Sequence, residues 1–545
     1  MSVLLTTLPS SLSTVKMTRM KSLIALLGRK QILLICVSLA AIPLPTLVAT
    51  RQQAERSATR ERSSADEGVG LLDFDTSDAN LGAAFNWARL QALAYAFRGD
   101  PAGDWYEAAL PGRQAFCMRD VSHQSMGAHA LGLGRYTRNM LGKFAENISE
   151  AKDWCSYWEI NRENHPAPVD YHDDGDFWYN LPANFDVLDA CHRMYMWSGD
   201  RAYLSDRTFL NFYKRTVHDY VQRWDLGLDR IMTRSRIMNV RGRVDAANRF
   251  KRNRGIPSYE ESDQNFVVAV DQVAVQYAGY LAYGRLEALL GNEEAAREFL
   301  KRANDVKSFL NQVWWDKDSA SYYSSLGLDH KLRKHGLNLS VLYYGAAEEG
   351  PKSESVVNAI LRSIGNKEPI GIEEQSHLPE ILYRYGKPDP AYEQILDLTA
   401  EGKNRREYPE VSYAVVGAIV TGLMGIDLVL AEPEKALQEA LYVEAKVSTL
   451  PGLTSKTKWA ELKHVPIRAN EINLRHDALS KTTLTNAAGP ALIWNACFPG
   501  AHRKLLANGK AVEATPSGSA RNGQPVSCTT TVVGSGERKI VQTID

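Results

Sequence analysis

The sequence predicts a mainly α protein: an (α/α)6 toroid of six helical hairpins followed by a small antiparallel β domain. Three observations carry this expectation. The first is a glycine-centred punctuation that recurs at Phe97-Arg98-Gly99-Asp100, Trp197-Ser198-Gly199-Asp200, Leu290-Gly291-Asn292 and Tyr385-Gly386-Lys387. Each copy follows an apolar helical stretch and precedes another, as expected where a left-handed glycine closes one helix and the next begins at once. A period of roughly a hundred residues leaves room for two hairpins, hence about twelve helices along the chain. The second is that residues 271–290 and 411–430 are apolar over most of their circumference, the property of helices buried inside a ring. The third is a change of texture after about residue 440. There the chain alternates, as in Glu471-Ile472-Asn473-Leu474-Arg475, and carries a hairpin signal at Asn508-Gly509.

Taken from the N-terminus, Lys16, Arg19, Lys21, Arg29 and Lys30 precede an apolar run that ends at Leu47-Val48-Ala49. Residues 1–49 therefore read as a signal peptide, which places the mature protein in the periplasm or outside the cell. Pro43 and Pro45 break the run short of a membrane span, so no stable span is expected after cleavage. Residues 50–72 read as a disordered polar tether, 73–435 as the barrel and 436–545 as the β-rich domain. Inside the barrel, Val273, Tyr277, Leu281 and Leu289 keep helical spacing beside Ala274, Ala278 and Ala282. Pro409 stands just before the later apolar helix, where Gly417, Gly422 and Gly425 permit close approach. Lys plus Arg and Asp plus Glu number 64 each, so net charge supplies no case for nucleic acid or an anionic membrane as partner. Loss of the leader leaves Cys117, Cys155, Cys191, Cys497 and Cys528. An odd set without a CxxC argues against a disulfide framework and leaves a single bridge open.

No HExxH, Walker loop or GxSxG elbow is present, and Gly132 and Gly134 begin no complete dinucleotide fingerprint; neither metal nor cofactor is expected. The densest polar segment is Pro168 to Pro182, where Asp170, Asp173, Asp174 and Asp176 crowd ahead of Phe177, Trp178 and Tyr179. It lacks the spacing of a calcium loop. One reading is a solvated loop that favours the N-terminus of the following helix. The other is a catalytic or substrate-binding loop, because rings among like charges raise at least one carboxyl pKa, as a general acid requires.

Asp176-Phe-Trp-Tyr-Asn180-Leu-Pro, followed by Trp197-Ser-Gly-Asp200 and Tyr203-Leu204, resembles a segment of unsaturated glucuronyl hydrolases. Their segment reads Asp-x-x-x-Asn-Leu-Pro, then a helix ending in Thr/Ser-Gly-Asp. The resemblance implies a six-hairpin barrel with Asp176 as catalytic acid/base. Pro111 to Asp120 is similar to motifs of trehalases and glucoamylases, in which an Arg-Asp pair at the first inner-helix mouth grips sugar hydroxyls. That implies a substrate role for Arg119 and Asp120, and the chemistry agrees: arginine offers a rigid donor fork and aspartate accepts. A purely structural ion pair is the alternative. His123, further along, would face the same mouth.

Glu407-Tyr408-Pro409-Glu410 lies just before the last inner helix, where inverting glycosidases with this barrel carry the general base; that resemblance points to Glu410, with Glu407 beside it. Glu373-Glu374 opens another inner helix, and Glu260, Glu261 and Asp263 form a further acidic group. Acids at helix N-termini also stabilise the dipole, by about 0.3–1 kcal/mol, with no catalytic role. The expectation is an exported glycoside hydrolase that removes a terminal sugar from an oligo- or polysaccharide. Asp176 would protonate the leaving oxygen and Glu410 would activate water, with inversion if the carboxyls lie about 6.5–9.5 Å apart. Arg119, Asp120, His123, Asp174, Trp178, Tyr179, Glu374 and Glu407 would contact the substrate. The glucuronyl hydrolase resemblance and the Arg-rich stretch from Arg230 to Arg254 lean towards a uronic acid such as glucuronate, and residues 225–270 are a candidate lid. The alternatives are a polysaccharide lyase on the same toroid and a non-catalytic glycan-binding protein.

Overall fold

A computed structural model describes residues 68–234, 254–260, 266–428, 446–517 and 524–544. The signal peptide, most of the tether and of the Arg-rich stretch, and Glu261 and Asp263 lie outside the described residues. Among the described residues, twelve α-helices of five or more residues build the barrel. They are α1 (Ala79–Ala94), α2 (Met118–Ala130), α3 (Gly134–Glu146), α4 (Ala183–Ser198), α5 (Arg207–Arg215) and α6 (Val270–Leu289). The second half comprises α7 (Glu293–Val313), α8 (Leu339–Tyr343), α9 (Pro351–Gly365), α10 (Ile372–Arg384), α11 (Pro388–Thr399) and α12 (Pro409–Ala418). The even-numbered helices pack each on the next, and α12 returns to α2, which closes an inner ring. Their odd-numbered partners lie outside. The toroid expected from the sequence is the fold observed.

The two ends of this ring differ. At one end five of the six inner helices return to an outer one, at Gly132, Gly199, Gly291, Gly345 and Gly386, all with positive φ. A Cβ at that backbone geometry is strained, so glycine is the residue that permits so short a return. At the other end the connections are long, and the N-terminal turns of the inner helices open onto them. Gly99 departs from the expected pattern. Helix α1 ends at Ala94, and Gly99 sits in a hairpin of strands Ala96–Asp100 and Gly103–Tyr106, where Phe97 stacks on Trp105 at 4.6 Å between ring centroids.

Ring closure is tightest between α2 and α12. A Cβ on Gly127 would stand 2.0 Å from the Tyr413 carbonyl oxygen, so the two backbones touch. The apolar helix expected over 411–430 is shorter than that. It runs from Pro409 to Ala418, continues as a π-turn over Ile419–Leu423, and gives way after Gly425 to a strand, Ile426–Leu428. Gly425 has φ +54°, and a Cβ there would meet the Leu450 carbonyl at 1.8 Å; this is where barrel becomes sheet.

The C-terminal region holds two sheets. The larger orders its strands Asp73–Thr76, Trp459–Ile467, Asn470–Asp477, Lys481–Ala488, Arg538–Thr543, Lys504–Ala507 and Lys510–Glu513, all antiparallel. Asn508-Gly509 makes the expected hairpin turn, both residues at positive φ. The smaller sheet takes in Ile426–Leu428, Lys446–Thr449, Leu492–Pro499, Val526–Val533 and Thr515–Ser517, with one parallel pair between the second and third. Cys497 and Cys528 face each other across it and form a disulfide. Its edge strand therefore precedes residue 435, and the boundary expected there lies outside the described residues. One apolar core runs from the ring helices through Tyr383 and Met424 to Leu474, Leu484 and Trp494 of the sheets. The Gly127→Ala variant is expected to lose about 1–3 kcal/mol from overpacking at the α2–α12 contact, whereas Gly365→Ala, whose new methyl meets nothing within 4 Å, should melt at or slightly above the parent temperature in calorimetry.

Candidate active site

Arg119 and Asp120 occupy the first turn of α2, directly after the extended residue Cys117. The Arg119 Nε donates to Asp120 Oδ1 at 3.0 Å, and its guanidinium lies 6.0 Å from the Trp158 ring and 5.7 Å from that of Tyr259. The first turn of α10 brings Glu373, and that of α12 brings Glu410. These side chains border a hollow of about 180 Å³ together with Glu159, Asp170 and Arg113. Arg113 pairs with Glu159 at 2.8 Å and with Asp170 at 3.3 Å, so the outer carboxylates have their own cation. Trp158, Trp178 and Tyr408 complete the wall.

Burial decides the charge state here. It pushes the Glu410 carboxyl well above the usual carboxylate range, and the negative charge of Asp120 adds to the push while Arg119 opposes it. Asp120 is raised by burial too, against the pull of Arg119. Glu159 rises to about 7, again through burial and in spite of Arg113. Burial works against the Arg119 charge, yet Asp120 above all holds that guanidinium protonated. A protonated carboxyl beside a fixed cation is what a proton donor needs.

A second hollow, of about 480 Å³, opens beside the first. Arg119 and Glu373 border both. On the floor of the larger one, His123 Nε2 lies 2.8 Å from Asp186 Oδ2, and its ring meets His377 edge-on at 4.6 Å. Burial, with positive neighbours, holds His377 well below its ordinary pKa and thus neutral. Asp271, at the start of α6, accepts from the Ser258 hydroxyl at 2.9 Å and the Tyr259 N–H at 2.5 Å, and burial lifts it to about 6.

Of the residues expected from sequence, Arg119, Asp120, Trp178 and Glu410 border the smaller hollow, while His123 and Glu374 border the larger. Four others border neither. Asp176 pairs with Asp173 across a short hairpin, Tyr171–Asp173 with Asp176–Phe177, and stays partly exposed. Asp174 accepts from the Tyr171 hydroxyl at 2.9 Å and faces Lys152 at 3.6 Å. Tyr179 is fully buried and donates to Asn184 Oδ1 at 2.5 Å, so it offers no face for stacking. Glu407 is exposed and contributes only its carbonyl, to the Tyr95 hydroxyl. The hairpin separates the two groups: Asp170 and Trp178 at its base border the smaller hollow, and Asp173, Asp174 and Asp176 nearer its tip border neither. Asp176 and Glu410 are therefore not brought together at either hollow. The sequence reading missed Trp158, Glu159 and Tyr259. The first two belong to an aromatic and acidic run, Trp154 to Glu163, whose spacing matches no motif.

No protein-family model matches the chain, and no curated protein matches it. Solved structures do. An α-L-rhamnosidase from Dictyoglumus thermophilum aligns over 87% of this chain and 51% of its own, with TM-score 0.56 and 13% identity. A GH78 family rhamnosidase of Bacillus sp. GL1 aligns over 77% of this chain and 41% of its own, with TM-score 0.50 and 14% identity. An α-L-rhamnosidase from Aspergillus terreus aligns over 85% and 50%, with TM-score 0.50 and 12% identity. The chain thus spans about half the length of these proteins, or somewhat less, and shares their helical toroid with its C-terminal β region. At such identities the likeness is one of fold.

Removal of the central cation has a pH-dependent consequence. Asp120 and Glu410 already sit above their unfolded values, so their ionisation opposes folding, and that cost is absent below the unfolded carboxyl pKa and grows as pH rises through the folded one. Arg119→Met is therefore expected to lower the melting temperature more at pH 8 than at pH 5, with a loss of about 3–5 kcal/mol at the higher pH, measured by denaturant titration at both.

Proposed function

We propose that the chain is an exported glycoside hydrolase that removes the terminal sugar of an oligo- or polysaccharide at the mouth of the toroid. The observation that carries this reading is the carboxyl group of Glu410. It is buried and held protonated within a crowd of carboxylates around Arg119, beside Glu373, which borders both hollows. Glu410 donates its proton to the glycosidic oxygen as the bond from that oxygen to the anomeric carbon breaks. Water attacks the anomeric carbon, and Glu373 takes the water proton. Arg119 and Asp120 hold hydroxyls of the sugar, and Trp158 or Trp178 supplies an apolar face. The reaction inverts the anomeric centre, which proton NMR of the first-formed product reads directly.

The fold likeness to α-L-rhamnosidases supports a carbohydrate substrate without naming the sugar. In the smaller hollow each arginine already has a carboxylate partner, which favours an uncharged sugar over a uronate. A leader over residues 1–49 and the Cys497–Cys528 bridge both fit export to an oxidising compartment.

A panel of aryl glycosides, glucuronides included, tests the activity, and a lyase would instead give an unsaturated, ultraviolet-absorbing product. Glu410→Gln is expected to lower kcat/KM by about 10²–10⁴-fold on sugars with poor leaving groups and far less on dinitrophenyl glycosides, which need no proton. Glu373→Gln should impair both. With Glu410 active only while protonated, the parent rate falls as pH rises through its elevated pKa, and Glu410→Gln should lack that alkaline limb. Full activity of Glu410→Gln on poor leaving groups would remove it from the mechanism.

A further inference from the structure

Residues 254–260 are pinned along almost their whole length. Arg254 pairs with Asp153 at 2.8 Å and donates to the Asp174 carbonyl at 3.1 Å. Gly255 has φ +109°, and a Cβ there would overlap the Tyr179 carbonyl oxygen at 1.8 Å. The Ile256 N–H donates to that same carbonyl at 2.7 Å, and its own carbonyl accepts from Leu181 at 2.8 Å. Asn180 Nδ2 donates to the Ser258 carbonyl at 2.9 Å. The strap delivers Tyr259, whose N–H reaches Asp271 and whose hydroxyl donates to Asp186 at 2.7 Å.

Held this way, the Tyr259 ring faces the larger hollow and lies 6.4 Å from the ring of Trp158, which faces the smaller one, with Arg119 over both rings. The three side chains stand between the hollows, and Arg119 and Glu373 border both. A proton donor and acceptor acting at this junction act on whatever linkage crosses it.

We infer that the strap, through Tyr259, divides the mouth into two compartments that receive consecutive units of one oligosaccharide, with the scissile linkage passing over Arg119 and Glu373. This rests on the hydrolase reading and adds the substrate class to it. The substrate is an oligosaccharide recognised on both sides of the bond, not a single sugar on an arbitrary leaving group. Tyr259 is a positioning and specificity residue in this scheme. The wall of the larger compartment combines Ser258, Asn338, Ser340, Tyr343 and Tyr344 with the acids Glu260, Asp271, Glu373 and Glu374. Such a wall suits an uncharged sugar unit.

The test compares a nitrophenyl monoglycoside with the di- and trisaccharide that carry the same terminal sugar, for the parent, Tyr259→Ala, Tyr259→Phe and Gly255→Ala. The parent should prefer the oligosaccharides. Tyr259→Ala and Gly255→Ala should lose about tenfold more kcat/KM on the oligosaccharides than on the monoglycoside, chiefly through KM, and Tyr259→Phe should keep most of the preference. Equal losses on both substrate types, or a parent without oligosaccharide preference, overturn the inference. If the parent hydrolyses neither type, the hydrolase reading falls separately. The compartments are then judged by calorimetric titration of Glu410→Gln with unlabelled disaccharides and their component monosaccharides. Tighter disaccharide binding that disappears on adding Tyr259→Ala supports the partition, and equal binding of both overturns it.

Discussion

The close approach of α2 and α12 is the constraint on which the molecule is built. Inner helices that share one direction close a ring only if the last can lie against the first, and here the contact is made backbone to backbone at Gly127 and Tyr413. Once the ring is closed, direction does the rest. The short glycine returns gather at one end, so the long connections and the N-terminal turns of the inner helices gather at the other. Partial positive charge at those turns stabilises acidic side chains, which is why Asp120, Asp271, Glu373 and Glu410 can all stand around one opening.

Burial then sets these acids against one another. A carboxylate removed from water is costly unless paired, and Arg119 cannot neutralise Asp120, Glu373 and Glu410 together. The inexpensive solution is to keep a proton, and at Glu410, buried and next to Asp120, burial and repulsion act in the same direction. The outer acids Glu159 and Asp170 are served by Arg113. A site that stores a proton beside a fixed cation follows from packing as much as from any one residue.

The β region is fastened to the barrel rather than strung behind it. Arg468 donates to the Met196 carbonyl at 3.1 Å, His129 bonds the Pro466 carbonyl at 3.1 Å, and buried His476 bonds the Met424 carbonyl at 3.0 Å. The strand Asp73–Thr76, ahead of α1, pairs on the edge of the larger sheet, and Ile426–Leu428, after α12, forms an edge of the smaller, so each end of the barrel segment enters one of the two sheets. This sheet braces the end of the ring where the glycine turns lie: Arg468 also lies against Gly199.

Periodicity made the toroid legible from residues alone. Glycine returns at 199, 291 and 386, apolar inner helices and the Asn508-Gly509 hairpin are local properties, and local backbone preference is enough to reveal them. The positions of the Arg119-Asp120 pair and of Glu410 were legible because each sits at a helix start that sequence can place, whereas the role was not: the sequence expectation makes Glu410 the base, and the proposed mechanism makes it the acid. Asp176 shows the opposite case: it stands near the tip of a two-strand hairpin and borders neither hollow, and no pattern of charge states which part of a loop meets the mouth. Trp158 and Glu159 reach the site from one connection and Tyr259 from another, and the hydrogen bonds that hold Tyr259 join residues far apart in the chain. Sequence by itself determined the class of fold and the kind of chemistry its helix ends could carry. Only tertiary packing decided which acids share a hollow and which keeps its proton, because burial and charge coupling depend on distance in space and not on distance along the chain.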